Sequence, residues 1–220
     1  MDPWTLLQLG DSALPTGGFA HSGGLEAALQ LGRLDGERAL EAFLEEALWN
    51  AGSAALPFVA ASHAAPARIA ALDARCDASL PSAVANRASR IQGQAFLRAA
   101  AAATHAEALR PLVAAVDEGP LAAHHVTVFG AALGLLGATS EDARRLFLFQ
   151  GARGAVSAAV RLGLVGPLEA QRLLAEAGRT GEAVLAATAG RTVEAAAATS
   201  PLQDLWQSHQ DRLYSRLFRS

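Results

Sequence analysis

Alanine fills about a quarter of this chain, and that excess narrows the possible folds more than any motif does. Alanine is the best helix former because it has no side-chain rotamers to lose. Residues that favour sheets are scarce in turn. Isoleucine occurs only at Ile69 and Ile91, and valine and threonine are sparse. No run alternates apolar and polar residues with period two. Helical spacing recurs instead, as in Leu40, Phe43, Leu44, Ala47 and Leu48. The expected fold class is therefore all-α. Hydrophobic residues make up 51% of the 220 but aromatics only 5%, so the core must be built from aliphatic side chains. No repeat and no shift in composition divides the chain. It reads as a single-domain bundle of roughly eight to ten helices over residues 1–201, with a polar tail at 202–220.

Local signals place helices at about residues 4–9, 25–31, 37–50, 54–64, 66–80, 82–109 and 124–136. Thr139 caps another, reaching about residue 164. Pro167 suits the first turn of a helix at 168–177, where its missing N–H is harmless. Gly178 and Gly181 then read as a break before a helix at 182–198. Pro111, Gly119 and Pro120 read as a linker.

The charge pattern excludes several chemistries. A net charge of −3 gives no strong field for nucleic acid or an anionic membrane. All eighteen basic residues are arginine. Without lysine there is no phosphate-loop lysine, no Schiff base and no Ser–Lys pair, so the chain is not expected to bind GTP alone. The single cysteine, Cys76, allows no internal disulfide and no Cys-rich metal site, and fits a reducing cytoplasm. The first ten residues carry Asp2 and no basic segment, unlike a signal peptide. The apolar runs at 126–138 and 155–160 fall short of the about 18–20 residues of a membrane span and read as buried helices.

Several motifs admit two readings. The stretch Ala20-His-Ser-Gly-Gly24 has the small-x-Ser-x-small form of a nucleophile elbow, but no strand precedes it. Alternatively, Ser22 caps the helix at Leu25, and Glu26 sits in its first turn near the positive end of the helix dipole. The adjacent His124 and His125 point about 100° apart on a helix, a poor metal pair, so core or surface roles are favoured. Gly130 and Gly134, and Gly151 and Gly154, suit tight helix packing or an oligomer seam. Arg153 and Arg161 share a helix face, as snorkelling side chains or as contacts to an acidic partner. Residues 202–220 interleave Leu205, Trp206, Tyr214, Leu217 and Phe218 with Arg212, Arg216 and Arg219, types enriched at binding hot spots. The segment either docks on its own domain or binds a partner. In the second case it should be mobile in the free protein.

The run Asp11-Ser-Ala-Leu-Pro-Thr-Gly-Gly-Phe-Ala-His-Ser-Gly-Gly-Leu-Glu-Ala-Ala28 resembles the N-terminal signature of the urease accessory protein UreF family. Further matches, in family order, are His124-His-Val-Thr-Val-Phe-Gly130, Ser157-Ala-Ala-Val-Arg-Leu-Gly163 with Gln171-Arg-Leu-Leu174, and the ending from His209 to Ser220. The resemblance implies an all-helical, usually dimeric scaffold with no catalytic activity and no cofactor of its own. Such a scaffold binds UreD (also called UreH), and together they recruit the GTPase UreG to apo-urease for nickel-site assembly. Nickel would pass in transit only. Carried over residue by residue, the partner-binding positions are Arg212, Tyr214, Arg216, Leu217 and Phe218. The functional loop is Pro15, Gly17, Gly18, Phe19, Ser22 and Glu26. Gly151, Gly154 and the run Gly166-Pro-Leu-Glu-Ala170 depart from the family pattern. A nickel-binding chaperone and a Ser22 hydrolase are the competing functions.

Overall fold

Asp2 starts the first helix. Its carboxylate accepts the Thr5 N–H at 3.1 Å and the Thr5 hydroxyl at 2.5 Å, and Pro3 takes the first turn. The computed structural model describes residues 1–34, 38–80 and 82–220. Among these residues there are eleven α-helices and no strand. In chain order they are α1 Pro3–Gly10, α2 Leu25–Gln30, α3 Ala39–Asn50, α4 Leu56–Ala64, α5 Ile69–Ser79, α6 Ala83–Thr104, α7 Arg110–Asp117, α8 His125–Leu135, α9 Ser140–Arg161, α10 Pro167–Ala187 and α11 Pro201–His209. The all-α expectation holds. The expected start of α3 at Glu37, and Pro81 ahead of α6, lie outside the described residues.

Several segments differ from the sequence reading. The helix expected at 82–109 stops at Thr104, where His105 turns left-handed at φ +50°, and a 3₁₀ turn follows at Glu107–Leu109. Residues 110–117 form α7 rather than a linker, because Pro111 falls in a first turn and Leu112, Val113 and Val116 bury against the core. Gly178 and Gly181 do not break α10. Leu173, Ala177, Val184 and Leu185 are buried on one continuous face, and that packing outweighs a glycine cost of about 1 kcal/mol each. Beyond Ala187 the chain leaves the helix, with only a short 3₁₀ turn at Val193–Ala195.

The centre of the fold is α8, which is buried from Thr127 to Leu133. It packs against α4 and α6. Gly130 lies over the Val59 carbonyl of α4 and Gly134 over that of His63, so backbones touch where a Cβ would collide. The Gly130/Gly134 pair therefore serves tight packing within the chain. Asp73 of α5 holds the start of α8. Its buried carboxylate accepts the N–H groups of Ala123 at 2.9 Å and His124 at 2.8 Å and the Thr127 hydroxyl at 2.5 Å. A buried acid is tolerable only when so satisfied, and the helix dipole adds to the attraction. A second apolar cluster joins Leu48, Leu56, Leu148, Ala152 and Leu185. A third gathers Leu25, Phe43, Ala158, Ala159 and Phe218, and so fixes the tail to the body. No single helix among the described residues is long and apolar enough to cross a membrane.

Candidate partner-docking surface

The loop after α1 is shaped by its own polar groups. Asp11 accepts the Ala13 N–H at 2.7 Å, and Thr16 Oγ1 accepts the Gly18 N–H at 3.3 Å. Gly17 has φ +72°, a left-handed conformation that only glycine adopts cheaply, and it turns Phe19 outward to 71% exposure. From α9, Arg153 donates to the Gly10 carbonyl and Arg161 to the Phe19 carbonyl. The two arginines thus do share a face, and that face is fastened to the end of α1 through Arg153 and to the loop through Arg161. The Arg161 guanidinium also lies 5.0 Å from the Phe19 ring centre and 4.2 Å from that of Phe218. One cation therefore joins loop and tail through two aromatic faces.

Ser22 is buried, and its hydroxyl donates to the Ser220 main-chain oxygen at 3.1 Å while accepting the Glu26 N–H at 3.4 Å. The residue in the cap position of α2 is Gly24, which has no side chain to bond. Ser22 reaches the helix start from two residues earlier and spends its proton on the tail. The segment ahead of it is a 3₁₀ turn at Gly18–Ala20, not the strand of a nucleophile elbow.

Glu26 is the hub of the arrangement. It is 2% exposed, and every donor to it is a neutral group. One oxygen accepts the Leu217 N–H at 2.6 Å and the Gln30 amide at 3.4 Å. The other accepts the Phe218 N–H at 3.0 Å and the Gln210 amide at 2.5 Å. Beside it the tail pairs with the loop, Arg219 N–H to the Ala20 carbonyl at 2.8 Å and Ser22 N–H to the Ser220 oxygen at 2.5 Å. His21 completes the seam with a 2.6 Å hydrogen bond to the Ser220 hydroxyl. Burial, then the charges of Arg219 and Arg87, push the His21 pKa down to about 4.

The tail residues singled out in the sequence separate into two sets. Phe218 is 3% exposed, seated in the third apolar cluster. Tyr214 is fully exposed, Leu217 is half exposed, and Arg212 and Arg216 face outward. Arg216 pairs with Asp211 at 3.0 Å, and Asp211 also takes Arg87 of α6 at 2.8 Å. Of the loop residues, Pro15 and Phe19 are exposed, while Ser22 and Glu26 are buried. The structure thus brings Phe19, Ser22, Glu26 and Phe218 together and leaves Tyr214 and Leu217 presented outward.

The histidine pair is structural. His124 bonds Asp77 at 2.9 Å and Ser89 at 3.2 Å. His125 packs among Phe96, Phe129 and Phe147, and burial, with a lesser push from His21, lowers its pKa to about 4. Burial and the nearby charges of Asp73 and Asp77 push the Cys76 thiol up to about 12, far from a reactive thiolate. Among the described residues no three His, Cys, Asp or Glu side chains converge on a possible metal position. Two residues were missed in the sequence. Asp73 shares the buried face of α5 with Ile69, Leu72 and Cys76, so an acid at an apolar position was the available signal. Gln210 is fully buried in a segment that reads as polar tail, and nothing local marks it.

The UreF family model matches residues 34–178 of this chain. The urease accessory protein F of Oryza sativa subsp. japonica is 40% identical over 219 residues, covering 98% of this chain and 84% of the rice protein. That of Arabidopsis thaliana is 39% identical over 221 residues, covering 99% of this chain and 92% of its own length. The urease accessory protein UreF of Mycobacterium tuberculosis (strain H37Rv) matches at 40% over 95 residues, 43% of this chain and 45% of its own.

Proposed function

The chain belongs to the UreF family of urease accessory proteins, and from that premise we propose that it is a non-catalytic scaffold of urease maturation. It binds UreD (UreH) and with it recruits the GTPase UreG to apo-urease, where the nickel centre is assembled. It acts in the cytoplasm, as a homodimer, and handles nickel only as cargo. The observation that carries this reading is the clasped tail. Glu26, Ser22 and Arg161 hold irregular backbone in one shape, and that shape presents Tyr214, Leu217 and Phe19 to solvent beside Arg212 and Arg216. Exposed aromatic and aliphatic side chains next to arginine are what a protein interface buries.

The test uses the full chain with Tyr214→Ala and Leu217→Ala together. Neither side chain supports the core, so the thermal melt should not move. Co-purification of UreD, and of UreG through it, should fall by tenfold or more. Unchanged co-purification would remove the tail from the interface. Tight stoichiometric nickel binding by the isolated chain would instead support a metal chaperone.

A further inference from the structure

On the outer side of α5 a groove of about 420 Å³ lies between this helix, α4 and the 3₁₀ turn at Val193. No residue of it takes part in the loop and tail arrangement. Its lining includes Ala61, Leu72 and Val193, and Arg68, Arg75 and Arg191 stand around them. Arg68 ends the 3₁₀ turn ahead of α5 and Arg75 stands on α5 itself, both exposed, with the buried Leu72 between them at the floor of the groove. Arg75 is held in place by Glu194 at 3.1 Å and by the Val193 carbonyl at 3.4 Å. Among the described residues Arg68 and Arg191 make no ion pair, a condition they share with other arginines of the chain; what is particular here is that they stand with Arg75 around one apolar floor. The groove therefore holds three cations against the single carboxylate of Glu194, on a chain whose net charge is −3.

We propose that this groove is a second docking site, which receives an acidic segment of a partner protein carrying an apolar side chain beside its carboxylate. Each half of that ligand follows from the lining. A guanidinium is a planar fork that matches a carboxylate with two parallel hydrogen bonds, and two such forks here are unengaged. The apolar floor favours an aliphatic neighbour, which would leave water as the carboxylate pairs and so strengthen the pairing. The three cations also steer an acidic surface on approach, which makes the association dependent on salt. The identity of the partner rests on the proposed role in urease maturation, so the candidates are the proteins of that assembly.

The experiment immobilises the full chain and measures binding of purified UreD, UreG and apo-urease, singly and mixed, at low and high salt. Arg68→Glu with Arg191→Glu should weaken one of these associations at least tenfold at low salt, with less loss at high salt. Arg68→Lys with Arg191→Lys should retain part of it. Both side chains are exposed, so the melt should stay in place. Ala61→Trp, which fills the groove without changing charge, should weaken the same association. Affinities within twofold of wild type in both the charge-reversed and the filled variants overturn the proposal. A loss of self-association in place of partner binding also overturns it, making the occupant a second copy. If the wild-type chain binds none of the three proteins, the functional reading fails and this proposal with it. If it binds them and the variants do so equally, only this proposal fails.

Discussion

Replacing Glu26 with alanine should free the tail while the body stays folded. The carboxylate serves the N–H groups of Leu217 and Phe218 and the amide of Gln210. Leaving a buried donor without an acceptor costs about 1–3 kcal/mol, so a tail that stayed docked would lose ~3–9 kcal/mol. What holds it down is of similar or smaller size. Burial of Phe218 contributes about 1.5–3 kcal/mol. The two main-chain bonds to Ala20 and Ser22 add ~0.5–1.5 kcal/mol each. Undocking returns the orphaned groups to water, so the variant takes that route and the stability loss is capped at the docking energy. A loss of about 3 kcal/mol lowers the melting temperature of a chain this long by roughly 6–12 °C. Hydrogen exchange at residues 213–220, with tryptic cleavage after Arg212, Arg216 and Arg219, reads the release directly. Glu26→Gln keeps one carbonyl oxygen and should release the tail only partly. If Leu217 and Phe218 amides in Glu26→Ala stayed as protected as in wild type, the clasp would not be what holds the tail.

Other consequences are measurable separately. His125 and His21 ordinarily titrate near 6.5 but are held at about 4 in the folded chain. The unfolded chain therefore binds protons first as pH falls, and stability should drop between about pH 6.5 and 4; His125→Phe, among three phenylalanines, should flatten part of that drop in melts across this range. Gly130→Ala drives a Cβ into the Val59 carbonyl and should cost about 2–3 kcal/mol by denaturant titration. Gly178→Ala meets open space in the middle of α10 and should instead add about 0.5–1 kcal/mol; a loss there would argue against a continuous α10.

Much of the helical layout was legible because its signals are local. Thr139 accepts the Asp142 N–H at the start of α9, as a capping residue three positions ahead should, and Pro167 opens α10 in its first turn. Gly17 takes the positive φ that a Gly-Gly turn suggests. The misreadings came from treating proline and glycine as punctuation without their tertiary setting. Pro111 starts a helix whose apolar face has a core to bury in, and Gly178 is carried by the buried Leu173 and Ala177 before it and Val184 and Leu185 after it. The tail could be recognised as unusual but not assigned a location. Its anchors, Glu26 and Arg161, lie 192 and 57 positions before Phe218 in the chain, and no local pattern links them.

That long-range linkage explains why a glycine-rich loop and an irregular tail occur together. Neither segment can satisfy its own backbone, since buried N–H and C=O groups outside helices need partners from elsewhere. Here each completes the other. The loop supplies the Ala20 carbonyl and the Ser22 N–H, and the tail supplies the Arg219 N–H and the Ser220 oxygen. A buried acid on α2 takes the N–H groups of Leu217 and Phe218, and an arginine on α9 takes the Phe19 carbonyl. Of the two sequence readings of the tail, self-docked or partner-binding, the second expected it to be mobile when free, with the entropy cost falling at binding. With the tail clasped, the cost falls at folding instead. Under the proposed function, Tyr214 and Leu217 meet their partner already positioned, and the association keeps more of its contact energy as affinity. Releasing the clasp with Glu26→Ala should therefore weaken UreD binding even though Tyr214 and Leu217 are untouched. The weakening should appear mainly as slower productive association, since the bound shape must first be found again.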